Sequence, residues 1–409
     1  MGPTPDGSVR EDAAAIAADL AELRHQIHRE PEIGLDLPQT QQKVLGALDG
    51  LPLDVTLGRA LSSVTAVLRG GQPGPAVLLR GDMDALPITE RTGLDYASAV
   101  TGVMHACGHD LHTAMLAGTA RILSARQREL PGNVIFMFQP GEEGHGGAQY
   151  MINEGVLDAA GDRPVAAYAV HVASAQYGHA QFATRPGPMM AAADVLDVTV
   201  RGHGGHASMP HLSADPIPAA CEMVTALQTL VTRRFDVFDP VVITVGSFHA
   251  GTTDNVIPDE AHFLATVRSF SAAARDRVRA ESVRLVSDIA SGHGLQASAE
   301  YLDGYPVTVN DAAEAAFAAQ AVADVFGSGR LQPEEHPMPG AEDFSFVLEQ
   351  VPGAFIMLGA CPADLDPASA PDNHAADAVF DDAALADGST LLAELALRRL
   401  AAEGQPGSR

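Results

Sequence analysis

A cysteine and a histidine two positions apart are the residues best placed to bind a metal. Cys107 and His109 lie in the run HACGHD at 105–110, and a thiolate and an imidazole at this spacing can reach one ion. Gly108 between them lets the backbone bend tightly. Taken alone, the pattern fits a buried structural cysteine beside hydrogen-bonded histidines better than a metal site. The metal prediction therefore depends on the rest of the chain.

Two adjacent glutamates form the second group of candidate residues. Glu142 and Glu143 follow the apolar run 134–138 and are flanked by glycines. In a poorly solvated cleft, neighbouring carboxylates repel each other unless a cation lies nearby or one of them takes up a proton. One carboxylate can then bind a metal while the other activates water, as in metal-assisted hydrolysis. The alternative is an acidic, solvated loop, but the position directly after a predicted strand favours function.

Short buried strands are the elements that must position these residues. Three apolar runs predict such strands, with a helical stretch at 113–129 between the first two: 76–79, 134–138 and 165–170. Asp84 follows the first run, the glutamates follow the second, and His171 comes directly after the third. Open α/β sheets gather their sites at the carboxyl ends of strands, so we expect these side chains to meet at one edge. By itself, His171 is equally well explained as a core histidine.

The rest of the sequence predicts a second domain inserted into the first. From 194 to 301 the pattern runs strand, helix, strand, strand, helix, strand, which is the order of a ferredoxin-like module. We therefore predict a two-domain α/β fold. A catalytic domain with a mixed sheet flanked by helices covers 1–187 and 303–409, and an inserted βαββαβ lid or dimerisation domain covers 188–302.

Helical periodicity is clearest outside the predicted insertion. Three stretches are expected to be helices: 9–30, 311–326 and 383–400. Ser8 and Glu11 form a capping box at the start of the first one.

Charge and missing motifs exclude several classes of protein. With 25 basic and 52 acidic residues, the net charge is −27, which argues against nucleic acid or an anionic membrane as a partner. Lys43 is the single lysine, and Val44 follows it, so there is no phosphate-binding GxxxxGK[ST] loop. The sequence also lacks an HExxH helix and a GxSxG elbow. Residues 202–207 match a GxGxxA dinucleotide fingerprint, but Pro210 follows where a helix should open, so we reject that match.

Cysteine content and the N-terminal sequence bear on the compartment. Cys107, Cys221 and Cys361 are far apart and odd in number, so they form no closed disulfide framework. Residues 1–10 show no secretory signal pattern. No segment reaches eighteen apolar residues without a charge or a Pro or Gly break. We therefore expect a soluble, cytoplasmic protein.

The motifs in their order resemble the metallo-aminoacylase and amidohydrolase family. This family includes hippurate hydrolases, N-acyl-amino-acid amidohydrolases, auxin-conjugate hydrolases and some bacterial carboxypeptidases. The resemblance covers almost the whole chain. Its marks are GDMDALP at 81–87, HACGHD at 105–110, QPGEEG at 139–144, GHA at 205–207, NVIP at 255–258 and GAEDF at 340–344. Together they are highly specific, and they imply the zinc-peptidase type of catalytic domain.

The resemblance implies a centre of two divalent metal ions. Cys107 corresponds to a thiolate that bridges both ions, with Glu143 and His374 completing one site and His109 and His171 the other. Zinc or manganese is expected, with cobalt or nickel as alternatives, because thiolate suits zinc while the family also works with the other metals. Ala375 and Ala376 follow His374, where relatives commonly carry Ser-Pro or Asn-Pro. This loop therefore lacks the rigidity that a proline gives.

The same resemblance implies a role for five further residues. Glu142 is expected to deprotonate the metal-bound water and later to protonate the leaving amine. Asp84 is expected to steady the metal cluster from the end of its strand. His206, which in the family often reaches the cleft of a partner subunit, would stabilise the oxyanion. Asn255 and Arg268 would hold the carboxylate end of the substrate.

These roles predict a hydrolase that cleaves the amide bond of N-acyl amino acids, releasing a carboxylic acid and a free amino acid. The alternative is a metallo-carboxypeptidase or dipeptidase, because short peptides also present an amide near a free carboxylate. A different class, a metal-stabilised binding protein without turnover, is disfavoured because Glu142 is present together with every candidate ligand. The inserted domain makes a homodimer, or a higher homo-oligomer, the expected assembly.

Overall fold

Helices and strands alternate along most of the chain, and the computed structural model describes residues 7–403. The helices are α1 Val9–Ala15, α2 Ala17–Arg29, α3 Pro38–Leu48, α4 His109–Ala125, α5 Gly147–Asn153, α6 Pro216–Arg234, α7 Ala272–Gly292, α8 Ala312–Phe326, α9 Ser345–Leu348 and α10 Ala383–Glu403. The strands are β1 Leu53–Leu57, β2 Val64–Arg69, β3 Gln72–Asp82, β4 Pro131–Gln139, β5 Ala166–Ala173, β6 Phe182–Thr184, β7 Gly187–Met190, β8 Ala192–Arg201, β9 Gly205–His206, β10 Val241–Ala250, β11 Val256–Ile257, β12 Glu260–Ser269, β13 Gln296–Tyr305, β14 Thr308–Asn310, β15 Leu331–Pro333 and β16 Gly353–Gly359.

The chain divides into two compact units. The first takes the residues up to Met189, then Val309–Glu335 and the residues from Phe346 onward. The second takes Met190–Thr308 and His336–Ser345. The second unit thus covers most of the predicted insertion at 188–302 and, in addition, a separate ten-residue segment later in the chain. The predicted mixed α/β, two-domain fold is confirmed.

The first unit is built on an eight-stranded mixed sheet in the order β1-β2-β4-β3-β5-β16-β6-β15. Four adjacent strands, β4, β3, β5 and β16, run parallel to one another. Their apolar segments are buried, as expected for strands covered on both faces. Asp82 at the end of β3 lies opposite Gln139 at the end of β4. Parallel pairing therefore brings the segments that follow these strands to the same edge, as predicted.

Two buried helices hold this edge in place. α4 begins directly after the Cys107–Gly108 turn, and most of its side chains are buried. It packs against α10, and both helices contact β3. The predicted helices at 311–326 and 383–400 correspond to α8 and α10. Because α4 starts at a candidate ligand and lies in the core, its packing fixes the position of that ligand.

The predicted single helix at 9–30 is wrong in one respect. The capping box of Ser8 and Glu11 is present, with Glu11 N donating to Ser8 Oγ at 3.2 Å and Ser8 N to Glu11 Oε2 at 2.7 Å. However, the helix is interrupted at Ile16, whose backbone leaves helical dihedrals (φ −106°, ψ 3°). The N–H of Ile16 bonds to Ala13 O in a tighter, three-residue turn. Ile16 is buried, and the chain continues as α2.

The second unit has the predicted βαββαβ order, formed by β8, α6, β10, β12, α7 and β13. Its sheet has the strand order β10-β12-β8-β13, and all three pairings are antiparallel. Burial alternates along β12, as expected for a sheet with one covered face. α6 and α7 pack on that face. Within residues 7–403, no helix is both long and apolar enough to cross a membrane.

Candidate metal centre

The first unit brings the five predicted metal ligands together. Two groups of three can each hold an ion, because the ligand atoms within a group lie within 4.8 Å of one another: Cys107, His109 and His171 form one group, and Cys107, Glu143 and His374 the other. These are the two groups that the family resemblance implies, and Cys107 belongs to both. The Sγ of Cys107 lies 3.5 Å from His171 Nε2, and His374 Nε2 lies 3.2 Å from Glu143 Oε1.

Unsatisfied buried atoms show that these side chains suit a cation. Among the described residues, both ring nitrogens of His109 and the Oε1 of Glu143 are buried without a hydrogen-bond partner. Buried polar atoms that lack partners are costly and uncommon. The neighbouring Cys107 and then Glu143, whose Oε1 lies 3.2 Å from the ring, raise the pKa of His374 to about 10. Cys107 and the carboxylate of Glu143 thus favour a positive charge at this position, which a divalent metal would supply.

His171 presents the nitrogen that a metal needs. Its Nδ1 lies 2.9 Å from the carbonyl oxygen of Val172, to which it donates its hydrogen. The Nε2 therefore keeps its lone pair and points towards Cys107. Burial, followed by the neighbouring His112, lowers the pKa of His171 well below its ordinary value. A neutral imidazole with a fixed tautomer is the form that binds metals.

Asp84 fixes the loop that carries the two glutamates. Its Oδ1 accepts a hydrogen bond from the backbone N–H of Glu142 at 2.9 Å, and its Oδ2 accepts one from Glu143 at 3.0 Å. The Oδ1 also lies 3.6 Å from Nδ1 of His109. Asp84 is itself almost fully buried. Asp84, two residues beyond the end of β3, therefore connects the glutamate loop to the first turn of α4.

Sequence reasoning assigned no role to Asp82 and His112, which lie next to the candidate ligands His109 and His171. His112 Nδ1 donates to Asp82 Oδ1 at 2.5 Å, and His112 Nε2 accepts from the backbone N–H of Val172 at 2.8 Å. The Oδ2 of Asp82 lies 3.6 Å from His109 Nε2. Burial raises the pKa of Asp82, but the positive charge of Arg80 and the imidazoles hold it well below its ordinary value. The three-residue spacing of His109 and His112 on one helix was the available signal.

The remaining predicted residues lie in the second unit. His206 is exposed on β9, and its Nδ1 accepts from Ser208 N at 3.1 Å. Asn255 lies just before β11, which pairs with β9, and its carbonyl oxygen accepts from Ala207 N at 3.1 Å. His206 and Asn255 are therefore close neighbours. Arg268 lies on β12 in the four-stranded sheet, where its Nη1 donates to Thr266 Oγ1 at 2.6 Å.

A cysteine shared by two groups of candidate ligands, with paired glutamates beside it at the carboxyl edge of an α/β sheet, fits the class of metal-dependent hydrolases. The model of the peptidase family M20/M25/M40 matches residues 78–398, and the chain belongs to that family. The family membership predicted from the sequence motifs is thereby confirmed.

Known relatives support the same class over nearly the whole chain. A thermostable carboxypeptidase of Saccharolobus solfataricus is 37% identical over 355 residues, covering 86% of this chain and 88% of the relative. An N-acetylcysteine deacetylase of Bacillus subtilis is 35% identical over 384 residues, covering 94% and 97%. A crystal structure of a B. subtilis protein, described as a dinuclear metal-binding peptidase of the M20 family, superposes with a TM-score of 0.81 at 32% identity and covers 95% of this chain and 99% of that one.

The chain is therefore an amidohydrolase or peptidase of the M20 family. Hydrolysis of small amide or peptide substrates follows from this membership. Binding of two metal ions is found in a solved structure of the same family, and the present chain contains suitable groups of ligands.

Proposed function

We propose that this protein hydrolyses the amide bond of N-acyl amino acids, releasing a carboxylic acid and a free amino acid, at a centre of two divalent metal ions. The observation that carries the proposal is the position of Glu142. Its carboxylate, that of Glu143 and the imidazole of His109 have ligand atoms within 4.8 Å of one another. Glu142 is thus a buried carboxylate beside both groups of candidate ligands.

The two glutamates have different roles in the proposed reaction. The five proposed ligands would hold two divalent ions, which when bound would supply Lewis acidity for activating water and polarising the substrate carbonyl. Glu143 points its Oε1 at His374 and His109 and serves as a ligand. Glu142 takes the proton from the attacking water and later gives it to the leaving nitrogen. Asp84 accepts from the backbone N–H of both glutamates, which fixes the loop from which the two carboxylates extend.

The acyl amino acid is the preferred substrate class, and a short peptide is the alternative. The N-acetylcysteine deacetylase matches this chain over almost its full length, which supports deacylation. The relative named a carboxypeptidase has a slightly higher identity, which supports the alternative. Both substrates present an amide next to a carbon that carries a free carboxylate. We propose zinc, which suits the cysteine and histidine ligands, or manganese, which suits the carboxylate of Glu143, with cobalt or nickel as alternatives.

Three residues of the second unit also have roles in the proposed reaction. We assign oxyanion stabilisation to His206, and binding of the substrate carboxylate to Asn255 and Arg268, in a homodimer. The hydrogen bond from Ala207 to Asn255 supports a shared role for the first two residues. His206→Ala should lower turnover and leave metal content and subunit number unchanged, while Arg268→Ala should mainly raise KM. Unchanged kinetics in either variant would remove that residue from the assignment.

The test is release of free amine from a panel of N-acetyl, N-benzoyl and long-chain N-acyl amino acids together with dipeptides. The protein is first loaded with zinc or manganese, and each assay is repeated after chelation. Chelator-sensitive release from acyl amino acids is the expected result. Release from dipeptides alone would move the protein to the peptidase alternative. No release at all, with metal shown to be bound, would contradict an enzymatic role towards either class.

A further inference from the structure

The side-chain amide of Asn373 uses both of its ends. Its Oδ1 accepts hydrogen bonds from Ser174 N at 2.9 Å and from Ser174 Oγ at 3.0 Å. Its Nδ2 donates to the carbonyl oxygen of Val172 at 3.0 Å and lies 3.4 Å from the carbonyl oxygen of Cys107. The backbone N–H of Ser174 can only donate and the carbonyl of Val172 can only accept. The orientation of the amide is therefore fixed by its partners.

These bonds connect three segments, each of which carries a proposed metal ligand. Val172 and Ser174 lie on and just after β5, next to His171. Cys107 belongs to the turn that begins α4. Asn373 itself precedes His374. One amide thus ties together the backbones that hold all three ligands.

The loop that carries His374 needs such a restraint. His374 has a φ of +71°, in the left-handed region that non-glycine residues seldom adopt. Its N–H donates to Ala106 O at 2.8 Å, and neither of the next two residues, Ala375 and Ala376, is a proline. A strained backbone persists only where its surroundings hold it. The hydrogen bonds of Asn373 provide that support from the adjacent residue.

The same amide also faces the shared sulfur atom. Nδ2 of Asn373 lies 3.7 Å from Sγ of Cys107, within reach of an N–H···S hydrogen bond. A donor to a ligating sulfur withdraws electron density and changes how strongly that sulfur binds its metal. Because Cys107 belongs to both ligand groups, one hydrogen bond can affect both ions.

We propose that Asn373 is a positioning residue of the metal centre, which holds Cys107, His171 and His374 in register and tunes the sulfur of Cys107 through its amide N–H. This inference rests on the metal centre of the proposed function. It concerns metal binding and does not depend on which amide is hydrolysed.

The test compares three variants of the full chain. Asn373→Ala removes every hydrogen bond of the amide. Asn373→Asp keeps an oxygen acceptor for Ser174 and removes both N–H donors. Ser174→Ala is the matched control, because it removes only the hydroxyl, which faces Asn373 Oδ1 and Pro371 O, and keeps the backbone N–H of Ser174 and the amide N–H groups facing Cys107. Circular dichroism verifies that each variant is folded.

Two readouts are independent of turnover. Zinc affinity is measured by competition with a chromophoric chelator, and the cobalt(II)-loaded protein is examined for its thiolate-to-cobalt charge-transfer band. Asn373→Ala should bind zinc about 10–100-fold more weakly, the usual effect of removing a partner of a metal ligand. The band should move to lower energy in both Asn373 variants, because a sulfur without the donor is easier to oxidise. Ser174→Ala should match the wild type in both readouts.

The outcomes separate this inference from the proposal beneath it. An unshifted band in both Asn373 variants, together with wild-type zinc affinity in Asn373→Ala, would overturn the role of Asn373 alone. A wild-type protein that takes up cobalt without a thiolate band would overturn the shared cysteine and, with it, this inference. If no amine is released from any substrate of the amide panel but the charge-transfer band shifts as expected, Asn373 keeps its role and only the substrate class is rejected.

Discussion

Adding one methyl group at Gly108 should damage the metal centre, and its cost can be worked out from the structure. Gly108 stands between two ligands and has a φ of +79°. A Cβ built on it would lie 2.4 Å from Cγ2 of Val172 and 3.0 Å from Cε1 of Phe380. Both neighbours are buried side chains in the core. Gly108→Ala therefore meets backbone strain and a steric clash together.

A second glycine separates these two effects. Gly102 has a φ of +81° and no heavy atom within 4 Å of a built Cβ. Left-handed backbone costs a non-glycine residue roughly 1–2 kcal/mol, and this cost is common to both positions. Overpacking a core adds about 1–3 kcal/mol, and it applies only at Gly108. We therefore expect Gly108→Ala to be about 1–3 kcal/mol less stable than Gly102→Ala.

The assay is urea unfolding of the metal-free proteins, followed by circular dichroism because the chain has no tryptophan. Zinc affinity is measured on the same samples. Gly108→Ala should unfold at a lower urea concentration than Gly102→Ala and should bind zinc more weakly, since Cys107 and His109 flank the altered residue. Equal midpoints for the two variants would refute the steric part of this reasoning. Equal zinc affinity would show that the turn does not set the ligand geometry.

Three further predictions follow from the contacts of the site and its surroundings. Asp84→Asn should destabilise the protein by about 1–3 kcal/mol and lower its zinc affinity. The reason is that an amide NH₂ would replace one of the carboxylate oxygens that face the N–H groups of Glu142 and Glu143. A urea midpoint and a zinc affinity equal to those of the wild type would contradict this prediction. Burial raises the pKa of Glu90, but its hydrogen bonds, led by that with His28, lower the pKa to about 2. The stability that the ionised Glu90 contributes is therefore fully present above its usual pKa and is lost as the pH falls towards 2. The stability advantage of wild type over Glu90→Gln should shrink between pH 6 and pH 3, and a constant difference in urea unfolding would count against this prediction. Zinc at a hundred times its Kd should stabilise the protein by about 2.7 kcal/mol over the chelated form, and calorimetric scans without such a shift would exclude a folded-state metal site.

The positions of the ligands along the sheet edge could be predicted from the sequence. Each apolar run is too short for a helix of the core and is followed by polar residues, so strands that finish shortly before Asp84 and Glu142 and close to His171 follow from local pattern alone, although β5 continues past His171 to Ala173. The structure places these ends side by side because parallel pairing leaves little freedom in where neighbouring strands finish. The βαββαβ order of the second unit was predictable for the same reason, since alternation and helical periodicity are local signals.

The supporting hydrogen bonds could not be predicted. Asp82 and His112 are separated by 30 positions, and Asn373 is 266 positions from Cys107. Such pairs depend on how α4 and a distant loop pack against the sheet, which leaves no local trace in the sequence. The break at Ile16 was hidden for a different reason, because buried apolar residues keep helical spacing on both sides of it. Local patterns together with the family resemblance therefore pointed to the proposed ligands and to Asp84, but not to Asp82, His112 or Asn373.

The most direct test of the account is the rate of amine release from an N-acetyl amino acid by Glu142→Gln, with the metal content measured in the same sample. Glutamine keeps the shape of the side chain and cannot take up the proton. We predict two metal ions per chain, as in the wild type, and a rate lower by about 10²–10⁴-fold, which is the usual contribution of a general base to the rate. A variant that keeps both metals and hydrolyses its substrate at the wild-type rate would contradict the mechanism.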